Sequence, residues 1–429
     1  MKKSELFSGY LEIIQGKKIF EHLDQYNSIH LNGLIGSLAS VIGAACFKLS
    51  GKASIFILND KEEAAYFHND LEQFIPENDL LFYPGSYRRP YQIEETDNAN
   101  VLMRAEVLNR FSSQRKPSCI VTYPDAIFEK VITKKELNKN TLKLSVGENI
   151  SIDLLNETMF EYGFEYSDFV SEPGQFAIRG GIVDIFSFSN EHPYRIELFD
   201  DEVESIRSFN INTQLSIQEV KRLKIIPNLE NKGKTESRVS FIHYLEDKAQ
   251  IWIKDKTFCS AQLDKLYQKA LESYKDIKGE KKHLTPNELF INSKVFSSVI
   301  QDFQIVSFGM QNEDNSKEIK FESSFQPSFN KQFDLIIEHF NQKTEEGYEN
   351  IILCSTLKQE ERFQNIFEKI DANFRFTTML LPLHEGFIDH RNKILCYTDH
   401  QLFERYHKFK LKSAKQYKKT ITLDEITNL

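Results

Sequence analysis

The sequence predicts an α/β protein in which a parallel sheet domain carries an inserted β-rich domain and is followed by a small α/β domain. Three observations support this prediction. Up to about residue 145, apolar runs of strand length alternate with helix-like segments, which is typical of a parallel sheet covered by helices. Between about residues 146 and 227, apolar residues recur with a period of two between turn residues. From about residue 333, helix-like and strand-like segments alternate again.

The first region, residues 1–145, is expected to supply most strands of the parallel sheet. Its continuous apolar runs predict buried strands, and Asp60 is placed to cap the helix that follows the first of them. The predicted strands are residues 53–58, 80–83 and 119–123. The predicted helices are residues 34–49, 62–74, 99–111 and 125–131.

The chain after the β-rich region is expected to complete the first domain and then to form another. Strands at 250–254 and 304–308 flank a charged helix at 261–278, and a polar, proline-containing segment at 323–331 marks a boundary. The last unit, residues 333–419, alternates helices with strands at 350–354 and 393–397. The predicted units are therefore 1–145 and 228–328 (two segments of the sheet domain), 146–227 (the insert), 329–415 (the small α/β domain) and 416–429 (a linker).

Composition indicates a soluble globular protein and excludes several classes. Of the 429 residues, 40% are hydrophobic and 27% are charged, as in ordinary globular chains. The apolar runs are too short for a membrane span, and the start of the chain lacks the apolar stretch of a secretory leader. The net charge of −9 argues against nucleic-acid binding over the whole surface. Five scattered cysteines favour a reduced, cytoplasmic protein: Cys46, Cys119, Cys259, Cys354 and Cys396.

Residues 194–199 read as a strand with two different faces, because successive side chains of a strand point to opposite sides. One face carries Tyr194, Ile196 and Leu198, and the other carries Arg195, Glu197 and Phe199. An aromatic side chain beside an arginine is typical of a protein–protein hot spot. The alternative is an ordinary two-faced strand in which Phe199 caps a small core. The spacing alone leaves both interpretations open.

The sequence around this strand resembles a known domain. The run Arg-Gly-Gly-Ile-Val-Asp-Ile-Phe from Arg179, the run His-Pro-Tyr-Arg-Ile-Glu-Leu-Phe-Asp-Asp-Glu from His192, and the closing Ile-Ile-Pro at 225–227 are similar in order and spacing to the partner-binding domain of bacterial transcription-repair coupling factors, the Mfd family. That domain is shared with the excision-repair protein UvrB. The resemblance is strongest over residues 30–230. It implies a UvrB-like, helicase-like sheet domain with an inserted domain that binds the repair protein UvrA.

The resemblance also implies which residues contact UvrA. The contact positions of the family fall on Arg179, Arg195 and Phe199, and all three residue types are retained. The arginines would pair with carboxylates of UvrA, and the phenylalanine would fill an apolar notch. Three acidic residues would supply charge at the rim of the contact: Asp200, Asp201 and Glu202. Since aspartate favours turns, these residues are also expected to form the turn of a hairpin.

A nucleotide-binding function requires the P-loop pattern Gly-x-x-x-x-Gly-Lys-Ser/Thr, whose amides hold phosphates while its lysine reaches the outer ones. Where a UvrB-like domain carries this loop, residues 32–39 read Asn-Gly-Leu-Ile-Gly-Ser-Leu-Ala. Gly33, Gly36 and Ser37 remain, but the lysine is missing. The sequence therefore predicts a degenerate nucleotide loop and no ATP hydrolysis. In the family the motor lies further along, so the chain is expected to be the front module of a longer ATP- and DNA-binding translocase.

Two basic segments are candidates for DNA contact. Residues 83–92 interleave tyrosine and arginine, which can stack on a single strand and neutralise it, but this segment is too short for the damage-reading hairpin of UvrB, and a proline-rich loop is favoured. The run from Arg405 to Lys419 is expected to be a linker towards an RNA-polymerase-interacting domain, since charge runs are usually solvated. Four histidines lack the spacing of a metal site: His384, His390, His400 and His407.

The sequence thus favours a non-catalytic adaptor that recruits UvrA for transcription-coupled nucleotide excision repair at stalled RNA polymerase. The remainder of the parent protein would contact RNA polymerase and DNA. We expect a monomer that contains no catalytic residues and needs neither a cofactor nor a metal. Two alternatives stay open. One is a UvrB-like subunit that binds damaged DNA, and the other is an ATP-dependent enzyme whose degenerate loop still binds nucleotide.

Overall fold

The computed structural model describes residues 3–86, 98–113, 117–188, 190, 192–228, 237–245, 249–276, 284–309, 312, 316–329, 332–369 and 375–403. The helices in these ranges are α1 (Lys3–Gly16), α2 (Ile19–Tyr26), α3 (Leu38–Ser50), α4 (Lys61–Leu71), α5 (Asn98–Ser113), α6 (Pro124–Ile127), α7 (Lys134–Lys139), α8 (Ile152–Glu161), α9 (Lys256–Asp276), α10 (Pro286–Leu289), α11 (Ser293–Ile300), α12 (Phe333–Glu345), α13 (Leu357–Lys369) and α14 (Asp399–Leu402).

The strands are β1 (Ser28–Asn32), β2 (Ser54–Ile57), β3 (Leu80–Phe82), β4 (Cys119–Thr122), β5 (Lys130–Ile132), β6 (Leu142–Ser145), β7 (Glu165–Tyr166), β8 (Gln175–Arg179), β9 (Ile182–Ile185), β10 (Tyr194–Phe199), β11 (Glu202–Phe209), β12 (Ser216–Glu219), β13 (Arg222–Ile225), β14 (Arg238–Ser240), β15 (Gln250–Ile253), β16 (Gln304–Ser307), β17 (Lys317–Lys320), β18 (Ser323–Phe325), β19 (Glu349–Cys354), β20 (Thr377–Leu380), β21 (Phe387–Asp389) and β22 (Ile394–Thr398).

Strands from both sides of the β-rich region form one seven-stranded sheet, in the order β17-β1-β16-β15-β2-β4-β3. Every neighbouring pair in this sheet is parallel. Strands β2, β4 and β15 are buried at each residue, as their continuous apolar runs predict. Asp60 caps α4, because its carboxylate accepts a hydrogen bond of 2.9 Å from the backbone N–H of Glu63. The predicted α/β class is confirmed.

Two predicted helices differ from the structure. The helix predicted at 34–49 begins only at Leu38, because Gly33 and Gly36 have positive φ angles that do not fit a right-handed helix. The helix predicted at 125–131 ends at Ile127, and the chain then enters β5. Strand β5 pairs with β14, which follows the inserted region. Pairing with a distant segment therefore overrides the local helical pattern.

The β-rich region forms a six-stranded sheet in the order β12-β11-β10-β9-β8-β7. Its pairs are antiparallel except for β7 with β8. The apolar side chains of one face are buried in the core, which includes Leu155 and Met159 of α8. Strands β6 and β13, at the two ends of the region, pair with each other. The side chains on the other face form the candidate site described below.

The last unit has a five-stranded sheet in the order β18-β21-β22-β19-β20. Strand β19 is parallel to β20 and β22, whereas β21 is antiparallel to its neighbours β18 and β22. Strand β18 lies in the polar segment at 323–331 and belongs to this sheet. The unit has its own core around Phe340, Tyr397 and Leu395. Among the helices in the described ranges, none is both long enough and apolar enough to span a membrane.

Candidate protein-docking site

Strand β10 has an apolar face and a face that carries charged and aromatic side chains. Ile196 and Leu198 are buried in the core, whereas Phe199 is 72% exposed. The predicted alternation is confirmed, and the interpretation of Phe199 as the cap of a small core is wrong. Since Phe199 lies on the same face as Arg195, the structure presents an aromatic ring and a guanidinium group together, as protein–protein hot spots do.

Asp184 of β9 holds the two arginines of this face. It is paired with Arg195 in the antiparallel register and is 1% exposed. Arg195 donates to both of its carboxylate oxygens, from Nε to Oδ1 at 2.7 Å and from Nη2 to Oδ2 at 2.8 Å. Nη2 of Arg179 also donates to Oδ2. One buried carboxylate thus positions two guanidinium groups that come from β8 and β10. We call Arg179, Asp184 and Arg195 the arginine clamp.

The guanidinium of Arg195 contacts several neighbours, which use its Nε and Nη2 donors. It lies over the ring of Phe209, 4.6 Å from the centroid, and Nη2 also donates to Oε1 of Gln214 at 3.0 Å. Hydrogen bonding to Asp184 raises the pKa of Arg195, so its charge is secure. Within the described residues, Nη1 of Arg195 has no acceptor in hydrogen-bonding distance. The Arg195 side chain is 17% exposed, so part of it lies at the surface.

A second ion pair lies beside the clamp on the same face. Arg207 of β11 is opposite Arg195 in the register and donates from Nη2 to Oε1 of Glu197. The other oxygen of Glu197 accepts a hydrogen bond of 2.7 Å from Ser205. Both side chains of this pair are more exposed than Asp184, at 28% and 29%. The face is therefore covered by paired charges rather than by a solvated acidic patch.

The three acidic residues expected at the rim follow Phe199 directly. Asp200 has a φ of +52° and begins the turn between β10 and β11, as the hairpin prediction requires. Glu202 is opposite Phe199 in the register. All three side chains, Asp200, Asp201 and Glu202, are exposed. The predicted partner residues thus belong to one sheet. Arg179, Phe199 and the acidic turn lie at the same end of it, and Arg195 is four residues before Phe199 on β10.

Asp184 was not predicted as a site residue, although the sequence contains a signal for it. Asp184 interrupts the apolar strand Ile182–Ile185, and an acidic side chain is rarely fully buried unless it has a partner. The pattern did not reveal which residues would pair with it. Gln214 was missed as well, because its contact with Arg195 depends on a loop 19 residues away along the chain.

The degenerate nucleotide loop lies between β1 and α3 and contacts the chain itself. Gly33 has a φ of +83°, and a Cβ atom added there would collide with the carbonyl oxygen of Phe321. Gly36 also has a positive φ, of +53°. Ser37 is buried, and its Oγ accepts a hydrogen bond of 2.9 Å from the backbone N–H of Glu385. Gly36 and Ser37 therefore pack against the last unit of the chain, and Gly33 packs against the segment that leads into it.

Residues 384–386 lie beside this loop, around the buried carboxylate of Asp70. The backbone N–H of His384 donates to Oδ1 of Asp70 at 2.7 Å, and the hydroxyl of Ser40 donates to Oδ2 at 3.0 Å. The ring of His384 stacks on Tyr66 with 3.5 Å between the centroids. Burial raises the pKa of Asp70 to about 7. We call Ser37, Ser40, Asp70 and His384 the loop cluster.

Several predicted segments lie partly or wholly outside the described residues. They are 87–92 of the basic loop, 405–419 with its cationic run, the linker 416–429 and His407. In the part of the basic loop that is described, Tyr83 is buried and stacks on Phe241 with 3.9 Å between the centroids. Throughout the ranges that the structure describes, no three side chains of histidine, cysteine, aspartate or glutamate are grouped as metal ligands would be.

The residues of this site lie in a region that is similar to known proteins. The family model of the UvrB interaction domain matches residues 142–230, which include the whole arginine clamp and Phe199. The chain is 36% identical over 201 residues to the transcription-repair-coupling factor of Bacillus subtilis (strain 168), a match that covers 47% of this chain and 17% of the relative.

Two further relatives have the same description. The transcription-repair-coupling factor of Staphylococcus haemolyticus (strain JCSC1435) is 30% identical over 218 residues, which are 50% of this chain and 18% of the relative. That of Escherichia coli (strain K12) is 25% identical over 197 residues, which are 44% of this chain and 17% of the relative. The matched region thus spans less than a fifth of each relative. The predicted resemblance is confirmed: residues 142–230 match the model of the UvrB interaction domain, and about half of the chain is similar to transcription-repair-coupling factors.

Proposed function

We propose that this chain, with its UvrB interaction domain and its similarity to transcription-repair-coupling factors, is a non-catalytic adaptor that binds UvrA through the arginine clamp and Phe199. Through UvrA it recruits nucleotide excision repair to RNA polymerase stalled at a lesion. The observation that carries the proposal is the buried Asp184, which holds two arginines on the same face of the sheet as an aromatic ring that is 72% exposed.

The surface fits an acidic and apolar partner site. Arg179 and Arg195 present positive charge that Asp184 orients but does not enclose. A carboxylate of UvrA would bind their outer donors, and an apolar notch would take the ring of Phe199. Asp200, Asp201 and Glu202 would face basic groups at the rim. Orientation by a buried residue lowers the entropy lost on binding, because the guanidinium groups are already in place.

At the level of the whole chain, we propose the domain boundaries predicted from the sequence, with 146–227 as the docking domain. We further propose that the protein is cytoplasmic and monomeric. RNA polymerase and DNA would be bound by regions of the relatives that the matched region does not include. Any ATP-driven step would take place in those regions as well, and the filled surroundings of Gly33 and Ser37 support this division.

The experiment that tests this function is a calorimetric titration of purified UvrA into this chain and into Arg195→Ala. We expect the substitution to weaken binding by about 2 kcal/mol or more, roughly a thirtyfold rise in Kd, since central arginines dominate such contacts. Arg222→Ala is the matched control, because Arg222 is an exposed arginine on β13, outside the six-stranded sheet. Thermal unfolding of each variant checks that it is folded.

Two results would contradict the proposal. If the unsubstituted chain does not bind UvrA at micromolar concentrations, the similarity extends to the fold but not to this function. If Arg195→Ala binds as tightly as the unsubstituted chain, UvrA binds another surface and the assigned residues are wrong.

A further inference from the structure

A second exposed aromatic residue lies next to the arginine clamp. Phe169, in the connection between β7 and β8, is 60% exposed. The guanidinium of Arg179 lies over its ring, 5.0 Å from the centroid. The same guanidinium donates from Nη1 to the backbone oxygen of Asp168 at 3.2 Å and from Nη2 to Asp184. Arg179 thus lies between the buried carboxylate of the clamp and an exposed phenylalanine.

The connection that carries Phe169 is anchored to the sheet. The hydroxyl of Ser167 donates to the backbone oxygen of Phe169 at 2.9 Å, and the backbone N–H of Ser167 donates to Phe176 at 2.9 Å. The next residue, Val170, is buried against Ala177 and Phe186. Anchors on both sides hold Phe169 at one place while its own ring stays in water. The ring is therefore exposed to solvent on a backbone segment that is held in place.

Because Phe169 contacts Arg179, the register of Arg179 shows where Phe169 lies relative to the sheet. Arg179 is the last residue of β8 and Ile182 the first of β9, and the two are opposite each other in the register. Phe199 lies at the end of β10, the next strand. The two exposed rings therefore flank the arginine clamp on one face. Two other exposed aromatics, Phe160 and Tyr166, pack edge-on against Phe176, whose side chain points to the opposite, apolar face.

We propose that Phe169 is a second aromatic anchor of the docking surface and is buried by UvrA together with Phe199. This inference rests on the proposed function and extends the contact across the sheet to the β7–β8 connection. The partner surface would then have two apolar notches on either side of its carboxylates. Burial of the ring also removes water from the Arg179 guanidinium and strengthens its interaction with the ring face.

The test compares Phe169→Ala with Phe160→Ala in titrations with UvrA. Phe160 is the matched control, because it is a phenylalanine of similar exposure, 56%, in contact with the opposite face. We expect Phe169→Ala to raise Kd at least tenfold, equivalent to about 1.4 kcal/mol, and Phe160→Ala to change it less than twofold. Both variants should retain the melting temperature within a few degrees.

A direct readout separates contact from an indirect effect on Arg179. The photo-crosslinking amino acid p-benzoylphenylalanine is placed at position 169 in one sample and at position 160 in another, and each is irradiated with UvrA. Cross-linking from position 169 and not from position 160 supports the inference.

The outcomes distinguish the inference from the function on which it rests. If Arg195→Ala abolishes binding while Phe169→Ala behaves like Phe160→Ala and position 169 forms no cross-link, the second anchor is wrong and the proposed function stands. If neither Arg195→Ala nor Phe169→Ala weakens binding, the docking surface lies elsewhere and both proposals are overturned.

Discussion

Two buried carboxylates, Asp184 in the arginine clamp and Asp70 in the loop cluster, have opposite surroundings. Asp184 is paired with two guanidinium groups whose outer edges reach the surface. The donors to Asp70 from the described residues are neutral, among them the backbone N–H of His384 and the hydroxyl of Ser40. A carboxylate with cationic partners supports a charged surface, whereas one with neutral partners is sealed beneath another part of the chain.

The two carboxylates also differ in what surrounds them in the fold. The loop predicted to be a degenerate nucleotide loop has glycines at positions 33 and 36, and backbone of the last unit packs against Gly36 and Ser37. The clamp is on a domain inserted into the same sheet architecture, with its donors facing outward. We therefore expect substitutions in the clamp to change both stability and partner binding, and those in the loop cluster to change stability alone.

The largest effect is expected from removal of the clamp's carboxylate. Asp184→Ala leaves Arg195, which is 17% exposed, without its counter-charge, and we expect a loss of about 4 kcal/mol in the free energy of unfolding. Glu197→Ala is the control, since it breaks a more exposed pair with Arg207 and should cost about 1 kcal/mol or less. Urea unfolding followed by circular dichroism measures both. Equal losses would show that Asp184 is not the buried centre of this face.

A smaller loss is expected in the degenerate loop. Gly33→Ala combines a φ of +83° with a collision against the backbone of Phe321, and should destabilise the protein by about 3 kcal/mol. Gly51→Ala provides the comparison, because Gly51 has a φ of +59° but no neighbour within 4 Å. Strain alone should then cost about 1 kcal/mol. Denaturant titration of both variants tests this. If Gly33→Ala costs no more than Gly51→Ala, the backbone of Phe321 does not pack against Gly33 as described.

The third effect depends on pH. The pKa of Asp70 is raised from 3.8 to about 7 in the folded protein, so between these pH values the folded state binds more protons than the unfolded state. Stability therefore falls as pH rises through this window, and is unaffected by Asp70 below it. One pKa unit corresponds to about 1.4 kcal/mol, which bounds the change at about 4 kcal/mol. Relaxation of the protein around the ionised carboxylate makes the change in stability smaller than this bound, and we expect a change of about 2 kcal/mol.

Asp70→Asn removes this titration while it keeps the acceptor for His384. The amide can donate to Ser40, whose hydroxyl then donates to the backbone oxygen of Ser37, 2.8 Å away. The variant should therefore gain about 2 kcal/mol relative to the unsubstituted protein as pH rises from 4 to 7. Thermal and urea unfolding at several pH values measure the difference. A difference that stays constant with pH would show that folding does not raise the pKa of Asp70.

Much of the fold was predictable because it depends on local periodicity. The buried strands β2, β4, β15 and β19 follow from short apolar runs. The period of two in β10 placed Phe199 opposite the core. By contrast, β1 and β17 were not predicted. Neither is a continuous apolar run, since β1 reads Ser-Ile-His-Leu-Asn and β17 reads Lys-Glu-Ile-Lys. Their place in the sheet depends on pairing with strands far along the chain.

The candidate site was predictable only in part. Arg179, Arg195 and Phe199 followed from the strand pattern and the resemblance, because both concern residues on neighbouring positions of the chain. Asp184 and Phe169 were not predicted, since their contacts with the arginines depend on which side chains meet across strands and loops.

The sequence by itself determined the class of the fold, the alternation of β10 and the absence of a lysine from residues 32–39, because these are properties of residue type and short-range order. Only the tertiary structure decided that Asp184 joins two arginines from different strands and that residues 384–386 fill the surroundings of Ser37, 348 positions away along the chain. Such contacts depend on strand register and on the packing of whole units. Neither is encoded in the spacing of nearby residues.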